Sequence, residues 1–113
     1  STFEALSRLE TLALMSGVDL PSRAIREQIG ASIDVIVQQS RFSDGSRRVS
    51  EIAEVVGLDH DGEFELRPLF RFERTGMGPN GEVLGHYRAT GYLPSFLDQF
   101  MVMGLIGPGE TFL

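Results

Sequence analysis

The stretch from Ile25 to Val37, IREQIGASIDVIV, changes its periodicity part-way along, and this change decides the fold class. Its isoleucines first recur at every fourth position, which is the spacing of one face of an α-helix. The run Val35-Ile36-Val37 that follows is continuous and β-branched, which suits a strand covered on both faces. Because proline fits the first turn of a helix, we predict a helix from about Pro21 to Ser32, followed by a strand from Asp34 to Arg41.

Upstream of this stretch, the sequence begins with another helical pattern. Ser1 and Glu4 have the S-x-x-E spacing of a capping box, in which the serine hydroxyl accepts a hydrogen bond from a first-turn amide. Apolar residues then follow at helical spacing, and Gly17 supplies a stop. A helix from about Thr2 to Ser16 is therefore predicted.

Downstream, turn signals divide the chain into strands. The predicted turns are Ser43–Ser46, Asp59–Gly62 and Gly76–Gly81. The strands that flank them are expected from Asp34 to Arg41, from Arg47 to Val56, from about Phe64 to Glu73 and from Glu82 to Thr90. A short helix should then begin at Pro94 and stop at Gly104, and residues 105–113 are expected to form a flexible tail.

The third predicted strand has one apolar and one charged face. The apolar residues are Phe64, Leu66, Phe70 and Phe72. We expect them to face the core together, with Phe96 and Phe100 of the last helix packed against them. Pro68 has no amide donor and therefore places this strand at an edge or at a bulge.

The element order is helix, helix, four mostly antiparallel strands and helix, which predicts the α+β class. The β-α-β alternation of a nucleotide-binding sheet is missing from this pattern. Two interpretations follow: residues 1–104 form a complete small α+β fold, or they are the end of a larger α/β sheet.

The composition narrows the chemistry of the chain. All ten basic residues are arginine, so the chain contains no P-loop lysine and no Schiff-base lysine. The formal net charge of -6 argues against general nucleic-acid binding. No apolar run approaches the roughly 20 residues of a membrane-spanning helix, which predicts a soluble protein. Cysteine is absent, which suits the cytosol.

Several segments, in order, resemble one family. They are ALSRLETL (residues 5–12), IREQI (25–29), DVIVQQSR (34–41), DGSRR (44–48), FRFERTG (70–76), GHYRATG (85–91) and PSFL (94–97). Together they are similar to the C-terminal part of the CpaF/TadA-type ATPases, the motors of pilus assembly and of type II and type IV secretion. The resemblance extends from the first helix to about Gly104.

The resemblance implies a RecA-like α/β ATPase domain that works as a homo-hexamer, with ATP and Mg²⁺ bound by the parent protein. It implies a cytoplasmic location, peripheral at the inner membrane through contacts with secretion or pilus platform proteins. The Walker A, Walker B, acidic-box and histidine-box motifs of the family would precede Ser1. Residues 1–104 are therefore expected to give structural and subunit-contact surface, and this chain alone is expected neither to hydrolyse ATP nor to hold a cofactor or metal.

Five residues are candidates for nucleotide-proximal or inter-subunit contacts: Arg8, Glu10, Gln38, Gln39 and Arg41. The first two would follow the family's histidine box, and an arginine at a subunit boundary can stabilise a transferring phosphoryl group. The other three end a strand, where residues often line ligand clefts. The alternatives are an ion-paired helix face and hydrogen bonds within the hairpin.

The β region is rich in arginine, which allows cross-strand ion pairs or a partner-docking surface. The arginines are Arg47, Arg48, Arg67, Arg71, Arg74 and Arg88, and the expected partners are Glu51, Glu65, Glu73 and Glu82. His60 lies between two aspartates, but turn formation explains that sequence without a metal.

Two other functions are open to this sequence. The first is a free-standing α+β protein-interaction module, and the second is a small enzyme built on carboxylates, arginine and two histidines. If the chain belongs to a larger sheet, the strand from Asp34 to Arg41 has lost the strands that flanked it and has an unpaired edge. Neither proline nor lysine protects this edge from pairing with another chain. The isolated chain is then expected to form a homodimer.

Overall fold

The computed structural model describes residues 1–104, which form three helices and one four-stranded sheet. The helices are α1 (Thr2–Met15), α2 (Ser22–Ser32) and α3 (Leu97–Val102). The strands are β1 (Val35–Arg41), β2 (Arg47–Leu58), β3 (Phe64–Met77) and β4 (Val83–Ala89). The α+β class expected from the sequence is confirmed. The expected tail at 105–113 lies outside the described residues.

The sheet is an antiparallel meander in the order β1-β2-β3-β4, with α1 and α2 packed on one face. The core on this face is formed by Leu6 of α1, Val55 of β2 and Phe64 of β3. Partly buried apolar residues surround it: Ile29, Ile33, Ile36, Leu58 and Leu66. The other face of the sheet, which α1 and α2 leave uncovered, is called the open face below.

The helix starts follow the sequence signals. The capping box at α1 is present, with Ser1 Oγ accepting from the Glu4 amide at 3.2 Å. Pro21 is the N-cap of α2 in extended conformation, so the helix begins one residue later. The fourfold spacing in α2 directs Ile25 and Ile29 towards the interior, where Ile25 is buried.

A bulge in β3 contradicts the expectation that its four apolar residues share one face. Ile52 pairs with Phe70 while Ala53 pairs with Pro68, so Leu69 is an extra residue in the ladder. Side chains alternate along a strand, and one inserted residue moves all later ones to the other face. Phe64 is accordingly 7% exposed in the core, whereas Phe70 is 36% exposed on the open face. Pro68 does lie at a bulge, as predicted.

The strand β1 is an edge strand, which corrects the expectation that the chain covers both of its faces. Ile36 packs against the core below α1 and α2. Val35 and Val37 alternate with it, and Val37 is 57% exposed. The continuous apolar run therefore has one covered and one uncovered face within residues 1–104.

The predicted turns are present, and the first of them also joins the two hairpins. The Asp44-Gly45 turn has Gly45 at φ +84° and the Ser46 amide bonded to Asp44 Oδ1. Asp44 Oδ2 accepts from the Val83 amide at 2.7 Å, and Arg48 donates to the Val83 carbonyl at 2.8 Å. The β1–β2 turn is thereby fixed to the start of β4.

The segment after β4, residues 91–104, crosses the open face and is called the strap below. Just before the strap, the Thr90 hydroxyl donates to the carbonyls of Pro68 and Leu69 at the β3 bulge. Within the strap, the amide and the hydroxyl of Ser95 donate to the Glu54 carboxylate of β2. Its helix α3 begins at Leu97 rather than at Pro94, because Pro94 only opens the preceding turn. Phe96 and Phe100 lie beside Glu54 and Val35 on the open face, whereas Phe64 and Leu66 face the core on the other side, so the expected packing of the two phenylalanines on that set is wrong.

Within residues 1–104, none of the helices has the length and apolar character that crossing a membrane requires.

Candidate functional site

A depression of about 380 Å³ lies between the first half of α1 and the middle of β1. Its lining combines apolar side chains of α1 with four polar residues, Ser1, Glu4, Arg8 and Gln38. The α1 residues reach it because α1 is capped at Ser1 and packs on the sheet through Leu6. Gln38 reaches it because it shares the helix-covered face of β1 with Ile36.

Arg8 and Gln38, two of the five residues selected from the sequence, are thus brought together across thirty positions of chain. Arg8 is exposed and makes no ion pair with any residue in the described part of the chain. A guanidinium presents a fork of donors that suits carboxylate or phosphate. The Gln38 amide donates one hydrogen to the Gln39 carbonyl at 3.2 Å, which leaves its second N–H as a further donor. The depression is therefore suited to an anionic group.

Glu10 lies on another side of α1 and is occupied within the fold. Its Oε1 lies 3.2 Å from Arg26 Nε, with both side chains about four-fifths buried. That approach lacks hydrogen-bond geometry, so it is a charge contact. Arg26 also donates to the Gly62 carbonyl at 2.8 Å and contacts Glu63 at 3.3 Å. Arg26 therefore links α1, α2 and the β2–β3 turn, and sequence reasoning did not select it.

Gln39 and Arg41 do not join the depression. They alternate with Gln38 along β1 and are exposed on the open face. The strict alternation of a strand separates them from Gln38, and this outcome follows from the period of two. The five candidates consequently occupy three different places.

The arginine-rich strands form some of the expected cross-strand pairs. Arg71 lies 3.0 Å from Glu51, and Arg88 lies 3.2 Å from Glu73. Arg48 pairs instead with Asp44 at 3.9 Å and stacks over the Phe72 ring at 5.3 Å. Arg47, Arg67 and Arg74 form no ion pair inside residues 1–104. Both signs of charge are therefore mixed along these strands.

Neither histidine lines the depression, and each one faces a different carboxylate. His60 is in the β2–β3 turn beside Asp61. His86 is on β4 and faces Glu73 of the neighbouring strand β3. Across residues 1–104 there is no group of three metal-ligating side chains. The depression contains no histidine, and its one carboxylate, Glu4, takes part in the capping box at the start of α1.

Asp44 is the most strongly perturbed carboxyl in the described chain. Hydrogen bonds from the Ser46 hydroxyl, the Val83 amide and the Ser46 amide, together with the charge of Arg48, lower its pKa to about 2. Each of these contacts favours the charged form of the carboxyl group. The sequence identified a turn here, but the bond to Val83 spans 39 positions and left no local signal.

No family model matches this chain, and no curated protein matches it. The candidate site is the α1–β1 depression, because its lining contains two of the five residues selected from the sequence, Arg8 and Gln38.

Proposed function

We propose that this chain is the C-terminal portion of a hexameric secretion or pilus-assembly ATPase that powers type II or type IV secretion or Tad-type pilus biogenesis. The observation that carries the proposal is the order of the seven CpaF/TadA-like segments along the chain, from ALSRLETL at residue 5 to PSFL at residue 94. In this proposal ATP and Mg²⁺ bind to the parent protein, upstream of Ser1. The parent works in the cytoplasm at the inner membrane, through contacts with the secretion or pilus platform.

In this proposal the portion contributes subunit-contact surface, and Arg8 is the residue of that surface that acts on the neighbouring subunit. Arg8 has no ion-pair partner within residues 1–104, and it shares an open depression with Gln38. In a ring of subunits, such an arginine would meet a phosphate or a carboxylate of the neighbouring subunit. The free edge of β1 would in turn pair with the strands that precede this chain in the ATPase domain.

The Arg8→Ala variant of the parent ATPase tests this role. We expect ATP hydrolysis to fall at least tenfold, because a charge-stabilising arginine contributes a factor of about 10³ or more in related phosphoryl-transfer systems. The matched control is Arg23→Ala, since Arg23 is an exposed helical arginine whose only ion pair within residues 1–104 is with Glu27 in its own helix. Equal rates for the wild type and both variants would contradict the proposed role of Arg8.

The alternative function is a free-standing α+β protein-interaction module. One observation favours it: α1 and α2 already cover one face of the sheet and bury Leu6, Val55 and Phe64 with this chain alone. A module of this kind would bind its partner without ATP. If the native protein that contains this chain hydrolyses no ATP, the alternative replaces the ATPase proposal.

A further inference from the structure

A second cleft, of about 510 Å³, lies between the strap and the end of the β1–β2 ladder where Val35 pairs with Glu54, and it is called the strap cleft below. Its apolar lining consists mainly of Phe96 and Phe100 of the strap, Val35 of β1 and Val56 of β2. The centroids of the two phenyl rings are 5.3 Å apart, and the ring planes are inclined at 53°. The described residues that line the cleft include two acidic ones, Asp34 and Glu54, and no basic one. The strap cleft thus combines aromatic surface with negative charge.

Glu54 is a buried carboxylate in the wall of this cleft. It is 3% exposed, and it is the only buried charged residue within residues 1–104. Because it alternates along β2 with Val55, which packs in the core, its side chain lies on the open face, where the strap crosses. The Ser95 amide donates to the two carboxylate oxygens at 3.0 and 3.2 Å, and the Ser95 hydroxyl donates to Oε2. The strap therefore holds the carboxylate in a fixed position.

These hydrogen bonds leave the charge of Glu54 uncompensated. No ion pair neutralises it within the described chain. A carboxylate has about four acceptor sites, whereas Ser95 supplies only two donor groups. Burial of a carboxylate is unfavourable without a paired cation, because the charge has lost its hydration. Glu54 consequently offers both acceptor capacity and a negative charge to a cation that enters the cleft.

The chain itself does not supply that cation. Arg67 is the cross-strand neighbour of Glu54 on β3, but its side chain is exposed and makes no ion pair inside residues 1–104. The cleft lies on the β1 side of Glu54, and none of the described residues that line it belongs to β3. Residues 105–113 contain no lysine, arginine or histidine. A cation that pairs with Glu54 from the cleft therefore comes from another molecule.

We propose that the strap cleft binds an arginine side chain of a partner protein, with the guanidinium on Glu54 and against the rings of Phe96 and Phe100. A guanidinium donates in a planar fork that matches a carboxylate, stacks on aromatic faces and is less strongly hydrated than an ammonium group. The exposed Asp34 would repel the carboxylate of free arginine, which favours an arginine within a peptide chain. This inference does not depend on ATP hydrolysis by the parent protein, and it applies equally to the free-standing module.

Nuclear magnetic resonance titration of the full chain with the tripeptide glycyl-arginyl-glycine, blocked at both ends, tests the site. We expect saturable shifts of the Phe96 and Phe100 ring signals with a dissociation constant in roughly the millimolar range, since a single side chain makes few contacts. The same peptide with citrulline keeps the shape of arginine without its charge. It should bind about tenfold more weakly, because a hydrogen bond to a charged group is worth at least that factor. Free arginine should also bind more weakly than the arginine peptide.

Glu54→Gln separates the charge from the fold. Its amide oxygen can still accept from Ser95, and the Ser95 amide signal reports whether the strap stays docked. The affinity for the arginine peptide should fall about tenfold or more. Phe100→Leu should weaken binding several-fold, because it removes an aromatic face from the cation. The control Glu65→Gln, which changes an exposed carboxylate of β3 outside the cleft, should bind as the wild type does.

Three results would overturn the site: equal affinity for the arginine and citrulline peptides, equal affinity of the wild type and Glu54→Gln, or no ring shifts at about 20 mM peptide. The citrulline comparison uses the wild type, so it decides the question even if Glu54→Gln fails to fold. Tighter binding of free arginine than of the peptide would overturn the partner protein as the source of the side chain.

Discussion

At Asp44, three hydrogen bonds and one charge contact meet on a single carboxylate of the turn between β1 and β2. The turn itself needs only the bonds to Ser46, and Gly45 supplies the positive φ. The bond to the Val83 amide extends the role of the residue from local geometry to the joining of two hairpins. Residues of this kind carry a local signal for the turn and none for the distant partner.

The Asp44 contacts make stability depend on pH in a defined range. The folded-state pKa is about 2, below the ordinary value of 3.8, so the carboxylate stabilises the fold above about pH 4. That contribution is lost as the pH falls from about 4 towards 2, because the unfolded chain takes up the proton first, and at still lower pH the carboxyl group is protonated in both states. Asp44→Asn should therefore be less stable than the wild type at pH 6.

Urea unfolding at pH 6, 4 and 2 measures this effect, and the difference between wild type and Asp44→Asn should shrink with falling pH. Asp98→Asn is the control, because Asp98 accepts no side-chain hydrogen bond within the described residues. A difference that stays constant from pH 6 to pH 2 would show that the Asp44 charge is not stabilised by the fold.

Arg26 gives a second residue-scale prediction. Replacing it with methionine keeps much of the side-chain volume but leaves Glu10 partly buried without its cation. We expect a loss of about 1–3 kcal/mol in the free energy of unfolding, below the range for fully buried pairs because water still reaches both groups. Arg23→Met removes an exposed pair within one helix and should cost less than about 0.5 kcal/mol. Similar losses in the two variants, measured by urea unfolding, would contradict the linking role of Arg26.

At the scale of the elements, local signals predicted the helices, the turns and the number of strands. The capping box, the fourfold spacing of isoleucines and the Asp-Gly turn each act within a few residues, so the sequence shows them directly. The faces of the strands were harder to predict, because the sheet contains four register shifts. Pro68 signalled a bulge, but which neighbour becomes the extra residue depends on packing between β2 and β3.

The β3 bulge makes a prediction about two phenylalanines. Phe64→Ala should lower the free energy of unfolding by about 3–5 kcal/mol, since Phe64 lies in the core with Leu6 and Val55. Phe70→Ala, on the open face, should cost only about 1 kcal/mol. Guanidinium unfolding of both variants compares them directly. A larger cost for Phe70 would mean that the register of β3 after Leu69 is the uninterrupted one.

The candidate site was predictable in part for the same reasons. Arg8 and Gln38 were selected separately, from their positions in a helix and in a strand, and they line one depression. Gln39 and Arg41 lie on the other face of β1 because side chains alternate along a strand, and this outcome could have been predicted from their positions in the sequence. Glu10 makes a charge contact with Arg26, and Glu54 accepts hydrogen bonds from Ser95. Both contacts join segments that are distant in the sequence, and no local pattern encodes them.

At the scale of the whole molecule, the free edge of β1 predicts self-association. β1 ends the sheet, and Val37 is exposed beside unpaired backbone groups. We expect light scattering at micromolar concentrations to give a mass above that of one chain, with a dimer as the simplest species. Val37→Lys should restore the monomer, because an edge lysine opposes pairing, whereas the control Glu65→Lys should not. A monomer at all concentrations would favour the free-standing module.

The proposal that this chain is the end of a secretion ATPase is tested most directly by reading the coding sequence upstream of Ser1 in the native gene. We expect the same reading frame to encode a G-x-x-x-x-G-K-[S/T] loop, the lysine-bearing phosphate-binding motif that these residues do not contain. A histidine-containing segment should lie directly before ALSRLETL. A reading frame that encodes the chain without any such loop would contradict the ATPase proposal and favour the interaction module.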